Sequence, residues 1–97
     1  MLKINKEIYK KFLKMTKENV FKVIDYHFPT PFTCKFFIRN EDDAIAIKPT
    51  IDKETKSFRI EMFAKGHLGL SVKKVTIVNG TKLSIISNYG SCLLEIA

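Results

Sequence analysis

The stretch Val75-Thr76-Ile77-Val78-Asn79-Gly80-Thr81-Lys82-Leu83-Ser84-Ile85 decides the fold, because two alternating apolar segments meet at an Asn-Gly pair, the strongest short-range hairpin signal. A two-residue loop pairs Ile77 with Lys82 and Val75 with Ser84, mixing apolar and polar side chains on both faces. A three-residue loop, Val78-Asn79-Gly80 with Gly80 in the left-handed conformation, pairs Ile77 with Thr81 and Val75 with Leu83 and keeps Ile85 on the same face. Lys74, Thr76, Lys82 and Ser84 then share the other face. The three-residue register is the expected one, since a buried face makes any one-residue slip costly at every side chain.

The same period of two extends outward in both directions. Toward the C-terminus, a turn at Asn88-Tyr89-Gly90 leads into a strand with Cys92, Leu94 and Ile96 inward. Toward the N-terminus, residues 57–63 place Phe58, Ile60 and Met62 inward, and residues 65–69 are expected to break the strand at Gly66 and Gly69. A solvated loop tip at 52–56 precedes that strand. Residues 44–48 form a short strand carrying Ile45 and Ile47, after a polar turn at Glu41-Asp42-Asp43. Residues 33–39 read as the first strand, with Cys34, Phe36 and Ile38 on one face and Lys35, Phe37 and Arg39 on the other.

Upstream the period changes. Ile8, Phe12, Met15, Thr16, Val20 and Val23 recur at three- and four-residue steps, which predicts a helix over about 5–27 with Asn5 as N-cap. Lys3, Lys6, Lys10, Lys14 and Lys17 crowd into an arc of about 80° opposite the apolar stripe, a lysine ridge. Phe28-Pro29-Thr30-Pro31-Phe32 reads as a rigid connector over 28–32, since each proline disfavours the helical conformation in the residue before it. The expected architecture is α+β: an N-terminal amphipathic helix packed on an antiparallel β-meander of five to six short strands, within one domain covering 1–97.

Composition narrows the function classes. A chain of 97 residues with 45% hydrophobic and 28% charged residues suits one globular domain, and no apolar run approaches the ~18 residues of a membrane-spanning helix. No membrane association is expected, and the N-terminus shows no apolar leader with a cleavage site, so the protein reads as intracellular and cytoplasmic. Seventeen basic against ten acidic residues give a net charge of +7. That balance points to a polyanionic partner, although a codon bias toward Lys, Ile and Asn would give the same lysine excess. All but Arg39 and Arg59 of the cations are Lys, so contacts to the phosphate backbone are expected in preference to base-edge readout.

Catalytic and metal chemistry have thin support. Cys34, Cys92, His27 and His67 are isolated from one another and lack the paired spacing of a zinc site, so no metal and no cofactor is expected. Gly66-His67-Leu68-Gly69 lacks the spacing and the following Lys-Ser or Lys-Thr of a phosphate loop. The leading expectation is a non-enzymatic nucleic-acid-binding or regulatory protein, a viral or microbial accessory factor. Lys35, Arg39, Lys74 and Lys82 would supply charge, Phe37 would stack on a base, and Lys10, Lys14 and Lys17 would form a second patch. The competing expectation is a protein-protein interaction module or small inhibitor, a homo-oligomer through a strand edge.

Overall fold

The computed structural model describes residues 6–55 and 57–97. The expected N-cap Asn5 and the first ridge lysine, Lys3, lie outside the described residues. The elements run α1 (Lys6–Glu18), β1 (Phe21–His27), α2 (Pro31–Arg39), β2 (Ala46–Ile51), β3 (Phe58–Ala64), β4 (Gly66–Val78), β5 (Lys82–Ser87) and β6 (Ser91–Ile96). The class is α+β, and the strands form one antiparallel sheet in the order β1-β6-β5-β4-β3-β2. β2 to β6 are a meander, and β1 joins it beside the C-terminal strand. The sheet curls until its two edges touch, where Phe21 and Ile45 exchange backbone hydrogen bonds of 2.9 and 2.8 Å.

The expected helix over 5–27 is two elements. α1 stops at Glu18, where the Asn19 side-chain amide donates to the Met15 carbonyl at 2.9 Å, satisfying one of the carbonyls a helix end leaves open. Phe21 to His27 then pair with β6, and the register shifts between Val23 and Asp25. The extra residue, Ile24, turns Phe21, Val23 and Tyr26 all toward the core, which produces in a strand the three-residue step of a helix.

The 33–39 strand is also corrected: it is helix α2, and the connector 28–32 contributes its first turn. Pro31 occupies the first helical position, where its missing N–H costs nothing and its fixed φ suits the helix. Thr33, Phe36, Phe37 and Asn40 are buried, a helical i, i+3, i+4, i+7 set. Asn40 ends the helix and ties it to the sheet. Its side-chain amide donates to the Phe36 carbonyl at 2.7 Å, while its Oδ1 accepts from the backbone N–H of Lys65 at 2.9 Å.

The expected break at 65–69 is absent. β3 and β4 are joined through Lys65 alone, and β4 continues through Gly69 to Val78. β2 begins and ends later than the expected 44–48. β4 pairs with β3 along its first half and with β5 along its second, with a bulge at Lys73 that lets Val72 and Val75 both face inward. At the hairpin Ile77 lies opposite Leu83 and Val75 opposite Ile85, so the three-residue loop is Asn79-Gly80-Thr81, with φ of 52° and 70° at Asn79 and Gly80. This register differs from the expected one by two residues, which preserves the partition of faces. Val75, Ile77, Leu83 and Ile85 face the core.

Both helices bury their apolar sides against that inner face. Tyr9 and Phe12 of α1 meet Phe58 edge-on at centroid distances of 5.7 and 5.8 Å, and Phe36 and Phe37 of α2 join the same core. The opposite, outer face of the sheet is left for side chains of other kinds.

Candidate nucleic-acid interface

The residues expected to form one surface are divided by the fold. Phe37 has 0% exposure and lies between Tyr26 and Phe28, with both ring pairs at 5.2 Å and within 16° of parallel. It stacks, but inside the protein, and so offers no face to a base. Lys35 and Arg39 are exposed on α2, one turn apart. Lys74 and Lys82 stand on the outer face of β4 and β5, where Lys74 lies opposite Ile86 and Lys82 lies between Val78 and Glu95. The alternation of Lys35, Phe37 and Arg39 is therefore not a strand face, and these groups converge on no common site.

The lysines of α1 do gather. Lys10, Lys14 and Lys17 project from its exposed side, because Phe12, Met15 and Thr16 hold the other side on the core. Between α1 and β2 runs a groove of about 690 Å³ lined by Leu13, Lys14, Thr16, Lys17, Glu18, Ile47, Lys48 and Pro49. Three lysines against one carboxylate make it cationic. Among the described residues, the ion pairs are Arg59–Glu61, Lys65–Asp43 and His67–Glu61, so the groove lysines are not neutralised by direct pairing. A second hollow of about 550 Å³, beside Thr55, Ser57, Ser71 and Asn88, has Lys73 as its cation.

Lys48 links the groove to the outer face of β2, β3 and β4. It pairs across the sheet with Glu61, which pairs in turn with Gly69; Ala46, Phe63 and His67 form the adjacent row, and Thr50, Arg59 and Ser71 the next. Glu61 Oε2 and His67 Nε2 are hydrogen-bonded at 2.5 Å. Arg59 lies 3.7 Å from the other Glu61 oxygen and donates to Ser71 Oγ at 3.1 Å. His67 stacks on Phe63 at 4.8 Å and 8°. In the sequence this row is hidden, because Gly66 and Gly69 make His67 look like a loop residue, whereas it pairs with Phe63. The outward alternation Arg59, Glu61, Phe63 was nonetheless implied once Phe58, Ile60 and Met62 were read as inward.

Burial pushes the Cys92 thiol up to about 12, and the half-buried Cys34 thiol donates to the Phe28 carbonyl at 2.8 Å; both are free thiols. Burial, with the Glu41 carboxylate beside it, raises the Tyr26 phenol above its usual range. Backbone N–H groups of Glu54 and Thr55 hold Asp52 below the usual carboxylate range at the β2–β3 loop. Among the described residues, no three His, Cys, Asp or Glu side chains converge as a metal site, and no helix is long and apolar enough to cross a membrane. No family model matches this chain, and no curated protein or solved structure is significantly similar to it, so the reading of the site rests on its own geometry.

Proposed function

We propose that this is a small basic protein that binds nucleic acid chiefly through its phosphates, with the α1–β2 groove as the interface. The observation that carries the reading is the convergence of Lys14, Lys17 and Lys48 on one groove, extended along α1 by Lys10. Lys10 and Lys14, four residues apart, advance by about 6 Å along the helix axis, and Lys14 and Lys17, three apart, by about 4.5 Å, spacings suited to following a chain of charges. Ammonium groups on flexible stems neutralise phosphates without reading sequence, so affinity should be salt-dependent and sequence-tolerant. Lys35, Arg39, Lys74 and Lys82 add long-range attraction from other sides of the molecule.

The test is a salt series with fluorescent oligonucleotides on the parent protein and on Lys14→Gln/Lys17→Gln/Lys48→Gln. The triple variant should reduce the slope of log K against log salt by about 2 to 3, while Lys74→Gln/Lys82→Gln leaves it nearly unchanged. The reverse pattern would move the interface to the outer face of β4 and β5. No binding by the parent protein at low salt would end the proposal.

The second reading, a partner or second copy added along a strand edge, draws on β2. Beyond the contact at Ile45, residues 46–51 pair with β3 on one side, and among the described residues no strand pairs with their other edge. Pro49 removes a donor from that strand and Lys48 charges it, two features that oppose edge-to-edge pairing. The groove reading is therefore preferred.

A further inference from the structure

We propose that the outer face of β2, β3 and β4 is a stacking platform for an unpaired base, which makes single-stranded nucleic acid the substrate class; this rests on the phosphate-binding reading of the adjoining groove. Phe63 is a large apolar ring left 43% exposed, and His67 lies parallel to it as its cross-strand partner. On the other flank of Phe63 the paired residue is Ala46, whose methyl group leaves the β2 side of the ring uncrowded. Parallel rings presented on a strand face, with cations beside them, are what a single strand needs to seat a base while its phosphates are neutralised. A duplex keeps its base faces stacked inside and cannot use them.

The platform is held in place. Glu61 fixes the His67 ring through Nε2, and Arg59 bridges Glu61 and Ser71. Gly69, opposite Glu61, is what allows this arrangement: a Cβ there would lie 2.7 Å from both Arg59 Nη2 and Glu61 Oε2. The two side chains therefore lie across Gly69. Glu61 would repel a phosphate if bare, but the Arg59 guanidinium lies 3.7 Å from one of its oxygens and Lys48 stands beside it in register. A strand whose base extends the Phe63–His67 stack can run its backbone past Lys48 into the groove lined by Lys14 and Lys17. Phe32 and Tyr89 are more exposed, at 80% and 64%, but among the described residues neither ring is stacked on a partner that would orient it.

The chain has no tryptophan, so Phe63→Trp introduces a unique reporter that preserves the aromatic ring. Its fluorescence would be followed during titration with a single-stranded thymidine oligonucleotide, with the corresponding duplex and with inorganic polyphosphate, while fluorescence anisotropy reports binding of each. Quenching by the single strand alone, together with about tenfold weaker single-strand binding and an unchanged salt slope in Phe63→Ala, is the expected result. Binding of all three polyanions without selective quenching, and with Phe63→Ala equal to the parent protein, would overturn the platform while leaving the groove intact. No binding of any of them at low salt would remove both readings. The urea midpoint of each variant separates a lost platform from a lost fold.

Discussion

Replacing Phe37 tests the largest difference between the chain as a pattern and the chain as a folded object. The ring has 0% exposure, lies between Tyr26 and Phe28, and meets Phe36 edge-on at 5.5 Å. Truncating a core Phe to Ala costs about 3–5 kcal/mol, and the ring pairs lost with it, each worth about 0.5–1.5 kcal/mol beyond area, place Phe37→Ala at the upper end. A domain of this size has about 5–15 kcal/mol in total, so the variant should be close to unfolding. With a urea m-value of about 1.5 kcal/mol/M, a loss of about 4.5 kcal/mol lowers the midpoint by about 3 M. Phe37→Leu, which fills most of the space but stacks on nothing, should lose about 2 kcal/mol and remain folded. Phe32→Ala, on the same helix but 80% exposed, should stay within about 0.5 kcal/mol of the parent. The assay is equilibrium urea unfolding followed by far-ultraviolet circular dichroism. A Phe37→Ala variant within 1 kcal/mol of the parent would refute the argument, because that is the behaviour of an outward ring on a surface strand.

Three further predictions concern cysteine chemistry and two turns. In the native protein at neutral pH, a thiol reagent should modify the half-buried Cys34 well before the buried Cys92, which should react only after denaturation. Because the Cys92 thiol is raised from 9.0 to about 12, its contribution to stability is fully present below pH 9 and is lost from there up to about pH 12, at about 1.4 kcal/mol per pH unit. Alkaline unfolding that Cys92→Ala leaves unchanged would count against this. Gly90 sits at φ 152° with Phe28 against it, and a Cβ there would lie 2.5 Å from Phe28 Cδ1, so Gly90→Ala should cost at least about 2 kcal/mol. Gly80→Ala, strained by its φ of 70° but with open space around it, should cost about 1 kcal/mol; equal midpoints for the two variants would refute the crowding argument.

Much of the candidate interface could be read from the chain. The ridge of Lys10, Lys14 and Lys17 follows from helical spacing alone, since those residues lie opposite Phe12 and Met15 whatever the helix packs on. Lys48 was invisible as a site residue because its place beside α1 depends on β2 lying along that helix. Phe63 and His67 needed the tight connection at Lys65 to become neighbours. Without it, Gly66 and Gly69 suggest a loop, whereas Gly69 serves to admit the side chains of Arg59 and Glu61.

By itself the sequence determined the α+β class and the inward sets Phe58, Ile60, Met62, then Val75, Ile77, Leu83, Ile85, and Cys92, Leu94, Ile96 of the last strand, since strict alternation has one burial solution. Only tertiary structure decided residues 20–40, because two periods compete there. A bulged strand turns Phe21, Val23 and Tyr26 to one side at a helix-like step, while the alternating side chains of 33–39 also satisfy a helix that buries Thr33, Phe36, Phe37 and Asn40. What separates the alternatives lies outside each segment: β6 supplies hydrogen-bond partners along β1, Tyr26 and Phe28 enclose Phe37, and the backbone of Lys65 donates to Asn40. Local periodicity constrains which face is apolar. Long-range partners choose the backbone that presents it.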